Sequence, residues 1–190
     1  TDMDIVLASG SPRRRELLET LGLEFTICPA KGEECPPQGM GPDETVKALS
    51  LAKAREVAQV YPEALIIAAD TIVWADSRIL GKPRSEAQAE EMLALLSGSS
   101  HEVYTGVTLI CGEKTVCRSE CTKVFFRDLS DGEIRAYVKT GEPMDKAGAY
   151  GIQGRAAMMV RRIEGDYFNV MGLPLCALGQ MLEQIGVQLF

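Results

Sequence analysis

The sequence predicts an α/β chain, and three observations carry that expectation. A short apolar run, Ile5-Val6-Leu7-Ala8, leads through Ser9-Gly10-Ser11 into a helix that opens at Pro12. A second apolar run, Leu65-Ile66-Ile67-Ala68-Ala69, is continuous, the mark of a strand buried on both faces. Two longer segments, Val103 to Cys111 and Thr115 to Phe126, read as a β-hairpin joined at Gly112-Glu113-Lys114. Helical periodicities lie between these strands, so the two kinds of element interleave. At 190 residues the chain makes one domain or two small lobes around a substantial core.

The first turn is the most informative stretch. Pro12 suits the first helical position, where its missing N–H is no loss, and Ser11 before it is a good N-cap. The free N–H groups of such a helix start, beside the hydroxyls of Ser9 and Ser11, make an anion site. Arg13, Arg14 and Arg15 occupy the first turn, where the helix dipole favours acids. Cations placed there make sense if a polyanion visits; the alternative is a capped surface helix with solvated arginines.

Gly22 stops this helix, and Glu24 to Cys28 reads as a second strand. Pro29 to Pro42 is a loop with Glu33-Glu34 at its centre. Asp43 then caps a helix from Glu44 to Val60, in which Val46, Leu49, Ala52 and Val57 recur at helical spacing. Lys53 and Arg55 lie on it. The run that begins at Leu65 ends in Asp70-Thr71. An acid in such a run is costly to bury unless it is paired, hydrogen-bonded or bound to metal, which makes Asp70 the foremost catalytic candidate.

Asp76-Ser77 is a turn, Ile79-Leu80 returns as a short hairpin partner, and Gly81-Lys82-Pro83 presents Lys82 at its end. Ser85 caps a helix from Glu86 to Leu96, stopped by Ser97-Gly98. The lone His101 reads as a surface or strand-end residue. Ser130 caps a helix from Asp131 to Lys139 with Ile134, Tyr137 and Val138 facing inward. The segment from Gly141 to Gly154 is too rich in glycine for a core helix. Its glycines permit a close backbone approach, while Glu142, Asp145, Lys146 and Gln153 supply charge and an amide. Met158 to Ile163 reads as a strand, Tyr167 to Met171 as a short extended piece and Leu173 to Ile185 as a closing helix.

Composition narrows the classes. The chain carries 20 basic against 27 acidic residues, a net charge of −7, which argues against a general nucleic-acid or membrane binder. No run has the length of a signal-peptide core or a membrane span. Six cysteines without a C-x-x-C pair, and a single histidine, make a zinc cluster a poor reading and reduced core thiols a good one. A cytoplasmic protein is expected.

These residues resemble those of the Maf-like nucleotide pyrophosphatases. The elements that carry the resemblance are Leu7-Ala8-Ser9-Gly10-Ser11-Pro12-Arg13-Arg14, Ala69-Asp70-Thr71 and Gly81-Lys82-Pro83, followed by the run from Glu142 to Gly154 and by Gly165-Asp166-Tyr167 with Val170-Met171-Gly172-Leu173-Pro174. They span nearly the whole chain as one Maf-like domain, 1–190. The long glycine-rich motif is specific; Gly-Lys-Pro alone means little.

The resemblance implies an elongated mixed sheet flanked by helices, with two lobes and a deep cleft, similar to inosine triphosphate pyrophosphatases. It implies hydrolysis of a nucleoside triphosphate between the α and β phosphates. The branch preferring dTTP and UTP is the match, because its specificity positions carry Arg13, Thr71 and Gln153. Asp70 is then the proton acceptor, with Lys53 and Lys82 beside the chemistry and Ser9, Ser11, Arg13 and Arg14 on the phosphates. A divalent cation, Mg²⁺ or Mn²⁺, is implied, with Glu33 and Asp70 as ligands. Gln153 matches the O4/N3–H edge of uracil or thymine. A homodimer is compatible with the resemblance. Three other readings stay open: a nucleotide sensor that does not hydrolyse, a pyrophosphatase for inosine or xanthosine triphosphate, and a cell-division regulator working through a partner.

Overall fold

The computed structural model describes residues 3–32 and 38–190. Its strands are β1 (Ile5–Leu7), β2 (Thr26–Ile27), β3 (Leu65–Ala75), β4 (Arg78–Leu80), β5 (Ser100–Cys111), β6 (Lys114–Phe126) and β7 (Val160–Glu164). Its helices are α1 (Pro12–Thr20), α2 (Pro42–Val60), α3 (Glu86–Leu96), α4 (Asp131–Lys139), α5 (Tyr167–Met171) and α6 (Leu175–Gln184). The strands form one mixed sheet in the order β2-β1-β3-β5-β6-β7, with β4 paired to β3. The expected mixed sheet flanked by helices is therefore present.

Two compact units divide the chain. The first comprises Thr1–Asp70, Thr105–Glu120 and Gly172–Phe190; the second comprises Thr71–Tyr104 and Cys121–Met171. Within the first, β1 lies parallel to both β2 and β3, with Leu7 opposite Ile67. Val6, Ala8, Ala54, Val57, Ile66 and Ala68 form a core between these strands and α2. The helix α2 comes very close to β5, because a Cβ at Gly106 would overlap the Val46 carbonyl. Within the second unit, α3 and α4 pack with Val73, Val103, Val124 and Phe126 into a separate core.

Local signals explain most boundaries. Ser11, Ser85 and Ser130 each accept a hydrogen bond from the backbone N–H three residues on, and Ser130 closes a full capping box with Glu133. Asp76 and Ser77 take φ of 50° and 57°, the left-handed pair that a tight two-residue hairpin requires.

Several expectations need correction. The cap of α2 is Gly41, not Asp43: Pro42 occupies the first helical position, where its fixed φ is pre-organised, and Asp43 falls inside the first turn. The strand β3 does not end at Asp70 but continues to Ala75, because Ile72, Val73 and Ala75 are buried too and β4 pairs with this stretch. Residues 167–171 are helical rather than extended, since the Asp166 carboxylate accepts from the Phe168 N–H at 2.7 Å and starts a turn. A short 3-10 turn takes Arg155–Met158, which delays β7 to Val160. The cysteines among the described residues are less buried than expected: Cys28, Cys111 and Cys117 are half-buried and Cys121 and Cys176 exposed, none of the five in a disulfide.

Candidate active site

The first unit assembles most of the candidate residues. β1 and β3 run parallel with Leu7 opposite Ile67; β1 ends there, while β3 runs on in the same direction through Asp70. The turn from β1 into α1 therefore leaves the sheet at the carboxyl end of β1, the end toward which β3 carries Asp70 and where α/β sheets bind ligands. Ser11 Oγ accepts from the Arg14 N–H at 3.4 Å, and Ser9 Oγ accepts from the Ser11 N–H at 3.2 Å. Arg14 folds back over this turn: its Nη1 donates to Ser9 Oγ at 3.3 Å and its Nε to the Gly172 carbonyl at 2.7 Å. A guanidinium is thus fixed beside two hydroxyls and a helix start that has no acid in its first turn. Arg13 forms no ion pair or side-chain hydrogen bond among the described residues, whereas Arg15 pairs with Glu19 on the exposed side of α1.

Asp70 is 6% exposed. Its Oδ1 accepts from Lys53 Nζ at 2.6 Å, and the lysine side chain is itself largely covered. A buried carboxylate needs such a partner. The pairing depends on α2 lying over β3, which brings together residues 17 positions apart in the chain.

The second unit holds Thr71, Lys82 and Gln153. Thr71 is the next residue along β3, half-buried. Lys82 follows β4 in the Gly81-Lys82-Pro83 break, which the Gly148 N–H ties to the glycine-rich segment by donating to the Gly81 carbonyl at 3.1 Å. Gln153 lies exposed in a turn of that segment. Glu33, expected as a cation ligand, lies outside the described residues.

The glycine-rich segment differs from the expectation in one respect: what approaches its glycines is the segment itself and β3. A Cβ at Gly151 would meet Lys146 Cε at 2.6 Å, and one at Gly154 would overlap the Glu142 carboxylate. Gly148, at φ 74°, lies against Val73. Lys146 Nζ donates to the Glu142 carbonyl and to Asp145 Oδ1, both at 2.9 Å. Burial alone would raise the Glu142 pKa, but the Tyr137 hydroxyl beside it, backbone N–H groups of Arg155 and Ala156 and the Lys146 charge bring it below the ordinary value. That hydroxyl does not close to ordinary hydrogen-bond geometry.

His101 is a further correction. It is 2% exposed, and its Nε2 shares a 2.6 Å hydrogen bond with the Tyr150 hydroxyl, between edge-on contacts to Phe126 and Tyr150. Burial lowers its pKa to about 4, so the ring is neutral at pH 7. The sequence reading also passed over Gly172 as a positioning residue. Its carbonyl anchors Arg14, and its φ of 117° is open only to glycine. The Gly-Leu-Pro ahead of the last helix was the available signal.

Among the described residues there is no cluster of three His, Cys, Asp or Glu side chains able to hold a metal. No helix there is long and apolar enough to cross a membrane.

The Maf-like protein family model matches residues 4–185. A Bacillus cytotoxicus protein named dTTP/UTP pyrophosphatase is 51% identical over 179 residues, 94% of each chain. A Moorella thermoacetica protein of the same name is 53% identical over 189 residues, 98% of this chain and 97% of that one. In fold, the chain is similar to the Staphylococcus aureus Ham1 protein, with a TM-score of 0.54 and 14% identity over 96% of this chain and 99% of that one. With its motifs in order from Leu7 to Pro174 and the family model matched over both units, the chain belongs to the Maf-like protein family.

Proposed function

We propose that this protein hydrolyses nucleoside triphosphates, dTTP and UTP preferred, to the nucleoside monophosphate and pyrophosphate. The observation that carries the reading is the buried Asp70–Lys53 pair, in the same unit as a helix start that Arg14 and two serines furnish. A site that only bound polyphosphate gains little from a buried carboxylate unless a metal is bound there. The names of relatives about 50% identical over nearly the full chain support the substrate class.

In this reading water attacks the α phosphorus, a new P–O bond forms, and the bond from that phosphorus to the bridging oxygen breaks. Asp70 accepts the proton of the attacking water, with Lys53 holding the carboxylate in place. Ser9, Ser11 and the α1 N-terminus hold phosphate oxygens, and Arg13 and Arg14 offset their charge. Lys82 adds a further cation, and Thr71 and Gln153 select the pyrimidine. These last three roles, like that of Glu33, rest on the family motifs.

A divalent cation suits the hard oxygen donors available, since Mg²⁺ binds through one or two carboxylates completed by substrate phosphates rather than in an all-protein cage. Asp70 would hold it, together with Glu33. When bound, such a cation supplies charge stabilisation on the phosphates and activates water. The free thiols and the substrate class favour a cytoplasmic location, and the chain works as one functional domain.

The test is pyrophosphate release from a panel of nucleoside triphosphates with Mg²⁺ or Mn²⁺, beside Asp70→Asn. We expect dTTP and UTP to turn over fastest. Loss of the base lowers turnover by about 10²–10⁴-fold. Nucleotide binding without turnover by the wild-type protein overturns the reading in favour of a sensor, and faster turnover of inosine or xanthosine triphosphate overturns the specificity.

A further inference from the structure

A cavity of about 280 Å³ lies entirely within the second unit, lined by β4, the Gly81–Arg84 connection and the first turns of α3. Its apolar lining is Ile79, Leu80 and Met92, and its charged lining is Arg78, Lys82, Arg84 and Glu91. The hairpin explains the grouping, because the Asp76-Ser77 turn returns Arg78 opposite Ala75, and Gly81 then ends the strand and starts the Lys82–Arg84 connection.

Charge is the informative feature. The chain as a whole is acidic, at −7, yet three cations share this lining with one acid. Among the described residues, none of Arg78, Lys82 and Arg84 forms an ion pair, although Glu91 lines the same cavity. Arg84 is held by its backbone instead: its N–H donates to Gln88 Oε1 at 2.6 Å, which anchors the residue and leaves the guanidinium uncommitted. Cations that line one cavity without carboxylate partners attract a polyanion. Two of them are arginines, whose planar fork matches phosphate oxygens two at a time. The cavity is smaller than the ~300–1,000 Å³ that holds a drug-sized ligand, which suits a compact hydrated anion rather than a whole nucleotide.

We propose that Arg78, Lys82 and Arg84 form a site for a linked diphosphate anion, with Arg78 and Arg84 as binding residues beyond those the family motifs mark. The proposal deepens the nucleotide reading, from which it takes its biological sense, because pyrophosphate is the product that reading releases. The same chemistry is present as the free product and as the terminal phosphates of the substrate.

The test is calorimetric titration of inorganic pyrophosphate into the wild-type protein, the double variant R78Q/R84Q, and Glu91→Gln. We expect one pyrophosphate at this site. Its affinity falls about tenfold or more in R78Q/R84Q, as the loss of charged hydrogen bonds implies. Glu91→Gln tightens binding about threefold by removing the one repulsive charge. An opposite-signed change of this kind cannot come from misfolding. Unchanged affinity in both variants overturns the proposal. Titration of a non-hydrolysable α,β-imido dTTP then assigns the source. An equal loss of analogue affinity in R78Q/R84Q supports capture of the substrate's own terminal phosphates, and a loss confined to pyrophosphate supports a product site. Binding is read without turnover, so failure of the hydrolysis reading and failure of this site give different results.

Discussion

Asp70 and Lys53 show how much one pair can depend on its surroundings. At 2.6 Å and with both side chains largely covered, each neutralises a charge that burial would otherwise disfavour. Lys53→Met should lower stability by about 2–3 kcal/mol, and combining it with Asp70→Asn should recover part of that loss. Denaturant unfolding of the two single variants and the double variant measures the coupling; strict additivity would show that the pair is not a unit. His101 supplies the other residue-scale prediction. Its folded pKa of about 4 lies below the unfolded value of 6.5, so the unfolded chain binds more protons between those values. Its contribution is complete above pH 6.5 and is lost as pH falls toward 4, a change on the order of 3 kcal/mol. His101→Gln should flatten the stability profile in that window, which thermal melts between pH 4 and 7 can read.

At the scale of elements, helix starts and close contacts matter most. The capping box of α4 is closed at both ends, with Ser130 Oγ accepting from the Glu133 N–H at 3.1 Å and Glu133 Oε1 from the Ser130 N–H at 3.2 Å. Ser130→Ala should lower stability by about 1 kcal/mol, seen as a small drop in melting temperature with activity retained. The glycine-rich segment is less forgiving. Gly148→Ala combines a left-handed φ of 74° with a Cβ 2.9 Å from Val73 Cγ2, and should destabilise by about 2–4 kcal/mol. The neighbouring Ala149 already holds φ 66° while fully buried, so the segment is strained before any substitution. The signal that glycine is needed here was plain in the sequence. What it accommodates, Val73 and the segment's own Glu142 and Lys146, was not.

At the scale of the whole molecule, two cores stabilise two units, and each unit contributes candidate residues. Gly106 illustrates a constraint of this order. It sits in a β-strand with nothing in its neighbours to mark it, yet α2 packs so closely that any side chain would strike the Val46 backbone. Gly106→Ala should therefore destabilise the first unit by more than about 3 kcal/mol, because a helix backbone cannot move aside as a side chain can. A melting temperature within a degree or two of wild type would refute it.

The sequence by itself determined the local elements and the chemical vocabulary. Serine caps, Pro12, the hairpin turn and the continuous apolar run each act through nearest neighbours along the chain, so α1, α3, α4, β4 and the heart of β3 were legible, as were Asp70 and the Ser9–Arg14 turn. Three misreadings came where a distant partner decided: the continuation of β3 past Asp70, the burial of His101 against Tyr150, and the half-exposed cysteines; the Gly41 cap and the helical 167–171 turned instead on neighbours in the chain. Only the tertiary structure could bring Lys53 to Asp70, anchor Arg14 on Gly172 and gather Arg78, Lys82 and Arg84 around one cavity. Periodicity and capping are local, whereas pairing, burial and charge clustering depend on which segments the folded chain packs together.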